Sequence, residues 1–146
     1  MISFNLKLLH YILPVRHRLN QPTPTTSPLC TLCTDSCPET VQHALLGCQY
    51  NDGSGQALIS TLQRVLPTLT PDKLLLLQFS SLPEALEMST VFLTSALLLE
   101  IWNRRSKKIR ITLYEIRSTL EARCSLLRET RYHNIYETLK DFLENL

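Results

Sequence analysis

The feature of this chain that most constrains its fold is a run of cysteines with one histidine between residues 30 and 48. The run has the spacing Cys-x2-Cys-x9-His-x4-Cys, and its four positions are Cys30, Cys33, His43 and Cys48. Three thiols and one imidazole complete the tetrahedral shell that a structural Zn²⁺ takes in proteins. Because four protein ligands leave no position for water, we expect a structural rather than a catalytic metal.

The ligand set has alternatives. Cys37 lies inside the run and can replace His43 in an all-thiolate site. Cysteines at such spacing also occur as buried thiols or disulfides, and His43 is then an ordinary surface residue. We favour His43 as the fourth ligand, because a neutral imidazole on a short helix is a normal zinc ligand, whereas Cys37 lies at the predicted helix entrance.

The segment between the two ligand pairs predicts a short helix over 38–46. Ser36 and Glu39 have the spacing of a capping box, and Pro38 suits the first helical turn. Gly47 suits the left-handed conformation that follows many helix ends. A helix with these bounds turns the second pair of ligands toward the first.

The residues around the ligands resemble the zinc-binding segment that follows the polymerase in reverse transcriptases of non-LTR (LINE-type) retrotransposons. The resemblance rests on the first Cys-x2-Cys pair, on Glu39-Thr40, and on the His-x-Leu and Cys that follow, and it covers about residues 14–50. An Arg/His-rich stretch commonly precedes this segment in the family, and Arg16-His17-Arg18 occupies that place here. The resemblance implies a region that holds template RNA or target DNA beside a polymerase.

The chain departs from that family in one respect. It has no polymerase motif of the Tyr-x-Asp-Asp type and no endonuclease constellation. We therefore expect a C-terminal fragment of such a polyprotein or a derived stand-alone gene. An inactive retroelement remnant is a further interpretation.

Glycine usage and apolar spacing predict a mainly α fold with a small zinc knuckle packed with, or tethered to, a helical bundle. Two of the three glycines lie in a turn at 51–55, and the rest of the chain beyond that turn has none. Apolar residues there recur at helical spacing, and no strand-type alternation appears. The predicted helices cover 54–66, 70–77, 81–106, 109–127 and 135–146. The predicted domains are an N-terminal helix with a Pro/Thr-rich loop (1–27), the zinc knuckle (28–50) and an α-helical region (51–146).

A basic cluster is the second candidate site. Residues 104–110 contain five cations and no acid. Trp102 and Tyr114 flank the cluster and can stack on unpaired bases. The competing interpretation is a solvated junction between helices, with cations at the negative end of a helix dipole. The predicted nucleic-acid contacts are Arg16, Arg18, Arg104, Arg105, Lys107, Lys108 and Arg110.

The sequence does not predict an enzyme. It has no glycine-rich phosphate loop, no nucleophile beside a credible base, and no carboxylate cluster for Mg²⁺. We expect a non-catalytic, zinc-dependent module that binds RNA or DNA with weak sequence specificity, since phosphate contacts do not read bases. The alternative is a zinc-stapled protein–protein interaction module that offers the apolar stripe at 109–127 to a helical or polymerase-bearing partner. The net charge of +2 favours the alternative, and the local charge clustering favours nucleic acid.

Cysteine usage and hydropathy predict an intracellular protein of the nucleus or cytoplasm, with no membrane partner. Five cysteines are an odd number, and four of them lie between residues 30 and 48, unlike the cysteines of a secreted disulfide scaffold. The apolar segment 1–13 lacks the basic start and the cleavage site of a signal peptide. The uncharged stretch 88–99 is too short to span a bilayer, so we expect a buried helix there.

Overall fold

The computed structural model describes residues 5, 7–8, 13–16, 27–80, 82, 84–110 and 112–125. Within these residues the protein is mainly helical, as predicted, and its β structure is one isolated bridge between Leu29 and Pro38. A π-helical turn, His43–Gly47, and a 3-10 turn, Gln49–Asn51, precede the α-helices. The described α-helices are α1 (Ser54–Val65), α2 (Pro71–Leu75), α3 (Glu84–Ser106) and α4 (Leu113–Ser125).

The long helix α3 runs through the hydrophobic core. Residues 93–98 are all buried, so every face of this part of the helix is covered by other elements. The π-helical turn and α4 both pack against α3, and Leu8, Leu13 and Val15 join the same core. The helix predicted at 88–99 is therefore confirmed, and it is fully buried over 93–98, whereas Met88 is 53% exposed. Among the described helices, none combines the length and apolarity needed to cross a membrane.

Helix α1 packs directly against the π-helical turn. A Cβ atom at Gly55 would overlap the backbone of Leu46 and would lie 2.7 Å from the carbonyl oxygen of Leu45. The close approach of the two backbones therefore requires glycine at this position. This contact places the ligand-bearing segment on the helical core.

The C-terminal end of α3 has the hydrogen bonds of a Schellman motif. The amide of Ile109 donates to the carbonyl of Arg104 at 3.0 Å, and the amide of Lys108 donates to that of Arg105 at 2.9 Å. Lys108 adopts the left-handed conformation with φ 55°, at the position where glycine is more usual. The hydroxyl of Tyr50 donates to the carbonyl of Lys108 at 2.6 Å, so the end of α3 is fastened to the segment that follows Cys48.

Helix α2 confirms the start predicted at Thr70. The Thr70 hydroxyl accepts a hydrogen bond from the amide of Lys73 at 3.3 Å, and Pro71 occupies the first turn. The helix ends at Leu75 rather than Leu77, because Leu77 has φ 53° and leaves the helical conformation.

The capping box predicted at Ser36 is wrong. Helical structure begins at Val41, and the hydroxyl of Thr40 caps it by accepting from the amide of His43 at 3.1 Å. Ser36 has φ 49°, and the carboxylate of Glu39 binds arginines instead of the helix start. Gly47 is the last residue of the π-helical turn, and the left-handed conformation predicted for it is wrong, because its φ is not positive.

Some predictions fall outside the described residues. They include the C-terminal helix at 135–146, the end of the apolar stripe at Leu127, and most of the Pro/Thr-rich loop. Ile109, the first residue of that stripe, precedes α4 and is 46% exposed.

Candidate metal centre

The four predicted ligands converge on one point. Their candidate ligand atoms all lie within 4.8 Å of one another. The Sγ atoms of Cys30 and Cys48 are 3.9 Å apart, and Cys33 Sγ lies 3.5 Å from His43 Nε2. Tetrahedral Zn²⁺ with bonds of about 2.3 Å to sulfur and about 2.0 Å to nitrogen separates two sulfurs by about 3.8 Å and sulfur from nitrogen by about 3.5 Å. The cluster is therefore compatible with a metal site.

Local backbone structure places the ligands. The loop from Cys30 to Cys37 is closed by a hydrogen bond from the amide of Cys30 to the carbonyl of Cys37 at 2.9 Å. A second bond, from the amide of Glu39 to the carbonyl of Pro28 at 2.9 Å, extends this closure. The loop carries the first two cysteines, the π-helical turn carries His43, and Cys48 follows that turn in extended conformation.

The backbone amide two positions after each of the three cysteines favours its thiolate form. The amide of Leu32 donates to Cys30 Sγ at 3.4 Å, and the amides of Asp35 and Tyr50 act to lower the pKa of Cys33 and of Cys48. Donors of this kind stabilise a thiolate and hold the direction of its lone pairs. These donors favour the thiolate form of each sulfur, while burial opposes it at Cys33 and Cys48, and the arrangement is compatible with a metal site.

Arg105 is the residue of this site that sequence reasoning placed elsewhere. It is only 4% exposed, and its guanidinium donates to Cys30 Sγ at 3.1 Å and to Cys48 Sγ at 3.2 Å. The same guanidinium donates to Glu39 Oε1 at 2.7 Å. The prediction of Arg105 as an exposed nucleic-acid contact therefore has to be corrected, because its donors face the ligand sulfurs and a carboxylate.

Glu39 joins the N-terminal segment to this arrangement. Its carboxylate accepts from the backbone amide of Arg16 at 3.2 Å, and Arg16 Nε lies 3.9 Å away. The side chain of Arg16 is 39% exposed, so this predicted contact residue stays accessible beside the centre. Glu39 thus links Arg16 and Arg105 across the ligand-bearing loop.

The two closest thiols differ in acidity. Burial opposes ionisation of Cys30, but the amides of Leu32 and Cys33, with His43 and Arg105, lower its pKa from 9.0 to about 6. Burial raises the pKa of Cys48 to about 11, although Arg105 donates to its sulfur. Cys30 therefore ionises first, and its charge opposes ionisation of Cys48, because two buried thiolates at this separation repel each other. A divalent cation bound here would supply the charge that the second ionisation needs.

Arg105 itself remains charged. Burial opposes its protonated form, but hydrogen bonds to Glu39, Cys48 and Cys30 raise its pKa. A permanent positive charge therefore lies against the cysteine sulfurs.

Cys37 lies beside the cluster rather than within it. Its Sγ is 3.2 Å from His43 Nδ1 and 3.6 Å from His43 Nε2, the nitrogen that lies 3.5 Å from Cys33 Sγ. Cys37 shares a smaller group of potential ligands with Cys33 and Asp35. None of the cysteines between residues 30 and 48 is in a disulfide. The geometry accordingly gathers the predicted set that contains His43.

Of the remaining predicted nucleic-acid contacts, one is held in ion pairs and others are exposed. Arg104 forms ion pairs with Glu100 at 2.9 Å and with Glu115 at 3.3 Å. Arg18 lies outside the described residues. The cations of the 104–110 cluster that remain exposed are Lys107, Lys108 and Arg110.

Comparisons of the chain with protein-family models, curated proteins and solved structures find no match. The assignment of the centre therefore rests on its own spacing, distances and hydrogen bonds.

Proposed function

We propose that this protein is a non-catalytic module in which Cys30, Cys33, His43 and Cys48 bind one structural Zn²⁺. The observation that carries the proposal is the convergence of three sulfurs and one imidazole within 4.8 Å, with the Cys30–Cys48 and Cys33–His43 separations close to those of a tetrahedral shell. Thiolate and imidazole ligands in this geometry favour zinc among the common divalent metals. Such an ion contributes folding free energy. It does not act on a substrate, because its four protein ligands leave no open coordination position.

Arg105 fits this site by charge as well as by geometry. Three thiolates around a divalent cation leave one net negative charge and Glu39 adds a second, and Arg105 and Arg16 together offset the two. Its two N–H···S hydrogen bonds also orient the sulfurs, as outer-shell partners do in other metal sites. In this proposal the metal and Arg105 together fasten the knuckle to the end of α3.

Native mass spectrometry tests the metal and its ligands. We expect one zinc per chain in the wild type and in Cys37→Ser, and none in Cys48→Ser. Zinc that is lost in Cys37→Ser but kept in His43→Ala would establish the all-thiolate set instead. Absence of metal from freshly purified wild-type protein would overturn the site.

We further propose that the module binds RNA or DNA through phosphates. Support comes from Lys107, Lys108 and Arg110, which are exposed just beyond α3, and from Arg16, which lines the same groove as Lys108. Contacts to three phosphates of a duplex give a slope of about −3 in log K against log salt. Such contacts give weak sequence specificity.

A binding assay with a charge-matched control tests this role. Structured RNA, single-stranded DNA and duplex are titrated at about 50 mM salt, where phosphate contacts are strong. Changing Lys107, Lys108 and Arg110 together to Ala should weaken binding at least tenfold. The control changes three exposed cations elsewhere, Lys7, Arg64 and Lys73, and should have a much smaller effect. Equal losses in the two triple variants would contradict a localised contact surface.

Protein–protein interaction is the second candidate. It is favoured by the exposed side chains of Ile109 (46%) and Tyr114 (79%) near the start of α4. The burial of Arg105 and the ion pairs of Arg104 also reduce the accessible charge. A chain that binds none of the three nucleic acids, but associates with a protein partner in a manner that Tyr114→Ser abolishes, would favour this role.

We also propose kinship with the reverse transcriptases of non-LTR retrotransposons, with a polymerase-bearing protein as the natural partner. Its support is the order and spacing of the ligands and the Arg/His-rich stretch before them.

A further inference from the structure

A groove of about 320 Å³ opens beside the metal centre. It lies between the loop that carries the first two cysteines and the end of α3. Pro14, Leu32 and Trp102 contribute apolar surface to it, and Arg16, Arg105 and Lys108 contribute positive charge.

We infer that this groove binds one nucleotide of a single-stranded nucleic acid, with the base against Trp102 and the phosphate between Arg16 and Lys108. The inference rests on the proposed nucleic-acid function and names the part of the surface that performs it. A groove that has Trp102 on one side and the cations Arg16 and Lys108 on the other suits a nucleotide, because a nucleotide joins an aromatic base to a phosphate. The volume is at the lower end of the usual range for small-ligand sites, about 300–1,000 Å³, which suits a single nucleotide.

The charge of the groove favours an anion. Three cations line it, and Glu39 is the acidic residue that lines it with them. Arg105 is buried and its guanidinium already binds Glu39, so the positive charge accessible to a ligand in this groove comes from Arg16 and Lys108.

The aromatic wall is held in place. Trp102 is half-buried and packs against the hydrophobic core, so its ring needs little further ordering to receive a base. Stacking of a base on an aromatic side chain contributes about 1–3 kcal/mol.

The two accessible cations are also positioned by backbone hydrogen bonds. The carbonyl of Lys108 accepts from the hydroxyl of Tyr50 at 2.6 Å, and the amide of Arg16 donates to Glu39 at 3.2 Å. Lys73 is also exposed, and it lies outside both the groove and the contact surface formed by Lys107, Lys108 and Arg110. Lys73 therefore offers a control for Lys108.

Trp102 is the only tryptophan of the chain, so its fluorescence reports on the groove alone. The full, zinc-loaded chain is titrated with a fluorescein-labelled oligothymidylate of six nucleotides at about 50 mM salt. Anisotropy of the label measures total binding, and Trp102 emission measures occupancy of the groove. We expect both signals to saturate together, and we expect an abasic oligomer of the same charge to bind about tenfold more weakly without quenching.

The paired variants localise the phosphate contact. Lys108→Gln should weaken oligothymidylate binding about tenfold and reduce quenching in parallel, whereas Lys73→Gln should weaken binding less than about twofold. Circular dichroism checks that both variants keep the helical content of the wild type.

Binding without a change in Trp102 emission, with equal losses in the two variants, overturns the groove but leaves the nucleic-acid module standing. Absence of any anisotropy change in the wild type overturns both proposals.

Discussion

At the scale of single residues, Arg105 shows how much of the centre is built from outside the cysteine run. Its side chain satisfies two ligand sulfurs and one carboxylate while it is itself 4% exposed. Burial of a charged group is tolerated only when its partners are in place. The side chain and its partners are therefore mutually dependent.

Replacing Arg105 with Ala should destabilise the zinc-loaded protein by about 3–5 kcal/mol, because Glu39 keeps its negative charge without its closest partner. Zinc affinity should fall about 10- to 100-fold, as it does when outer-shell partners of other sites are removed. Urea unfolding and competition with a chromophoric chelator measure the two effects.

The neighbouring arginine provides the control. Arg104→Ala removes ion pairs nearer the surface and should cost about 0–1 kcal/mol. Arg105→Lys keeps the charge but not the forked donors, so it should recover only part of the loss. An Arg105→Ala variant with wild-type zinc affinity would show that the N–H···S bonds do not support the metal.

The ligands and Arg105 differ in how far the sequence could predict them. The four ligands lie within residues 30–48, and their spacing alone is typical of a zinc site. Arg105 lies 75 residues beyond Cys30, and nothing in its surroundings distinguishes it from the other cations of 104–110. Only the packing of α3 against the knuckle separates the buried arginine from the exposed lysines.

At the scale of elements, the contact between α1 and the π-helical turn depends on Gly55. The Cα and carbonyl of Leu46 occupy the space that a side chain would need. Backbone atoms cannot move aside as a side chain can, so the two elements would have to separate.

Gly55→Ala should therefore destabilise the protein by about 3 kcal/mol or more, as overpacking at a rigid site does. Gly47→Ala is the matched control, because a Cβ there meets nothing within 4 Å. It should change stability by less than about 1 kcal/mol, since alanine is the better helix former. Urea unfolding measures the free energy of unfolding of each variant. Similar values for Gly55→Ala and Gly47→Ala would contradict the close backbone contact.

The start of α4 is stabilised by a reciprocal cap. The hydroxyl of Thr112 accepts from the amide of Glu115 at 3.3 Å, and the amide of Thr112 donates to the Glu115 carboxylate at 3.2 Å. The hydroxyl and amide of Thr112, with Arg104, lower the pKa of Glu115 below 4.5.

The sign of this shift predicts how α4 responds to acid. Because the pKa of Glu115 is lower in the folded state, its contribution to stability is present above about pH 4.5 and is lost as the pH falls through the folded-state value. A carboxyl carbon titration by NMR should give a pKa below 4.5 for the wild type. In Thr112→Ala, and in urea, the pKa should return toward 4.5. The same pKa in the wild type and the variant would show that the cap does not form.

The two capping patterns explain a limit of sequence-based prediction. Ser36 and Glu39 have the same spacing as Thr112 and Glu115, yet only the second pair caps a helix. Glu39 is drawn to the arginines that surround the ligand loop, so tertiary contacts override the local preference. Where no such partner competes, as for Thr70 and α2, the local pattern predicted the helix start.

At the scale of the whole molecule, the predicted division into a knuckle (28–50) and a helical region (51–146) is bridged by several bonds. Arg105 binds Glu39, Tyr50 binds the backbone at Lys108, and α1 and α3 both pack against the π-helical turn. Loss of the metal should therefore also destabilise the helices that contact the ligand loop.

Chelation should lower the thermal stability of the entire described fold. A free Zn²⁺ concentration about 1,000-fold above Kd stabilises the native state by about 4 kcal/mol. For a chain of this size that corresponds to a difference in Tm of about 8–16 °C. Thermal unfolding followed by circular dichroism, with and without chelator, measures it. Cys48→Ser should show no difference, and an equally small difference in the wild type would contradict a metal-dependent fold.

The sequence separation between Cys48 and Arg105 also sets an order of events during protein synthesis. Translation delivers the last sulfur ligand 57 residues before the arginine that neutralises it. If the cluster binds Zn²⁺ as proposed, a nascent chain that captures the ion early would lack the charge of Arg105 until the final turn of α3 leaves the ribosome. Maturation of the centre would then be complete only when that distant turn folds back onto the sulfurs.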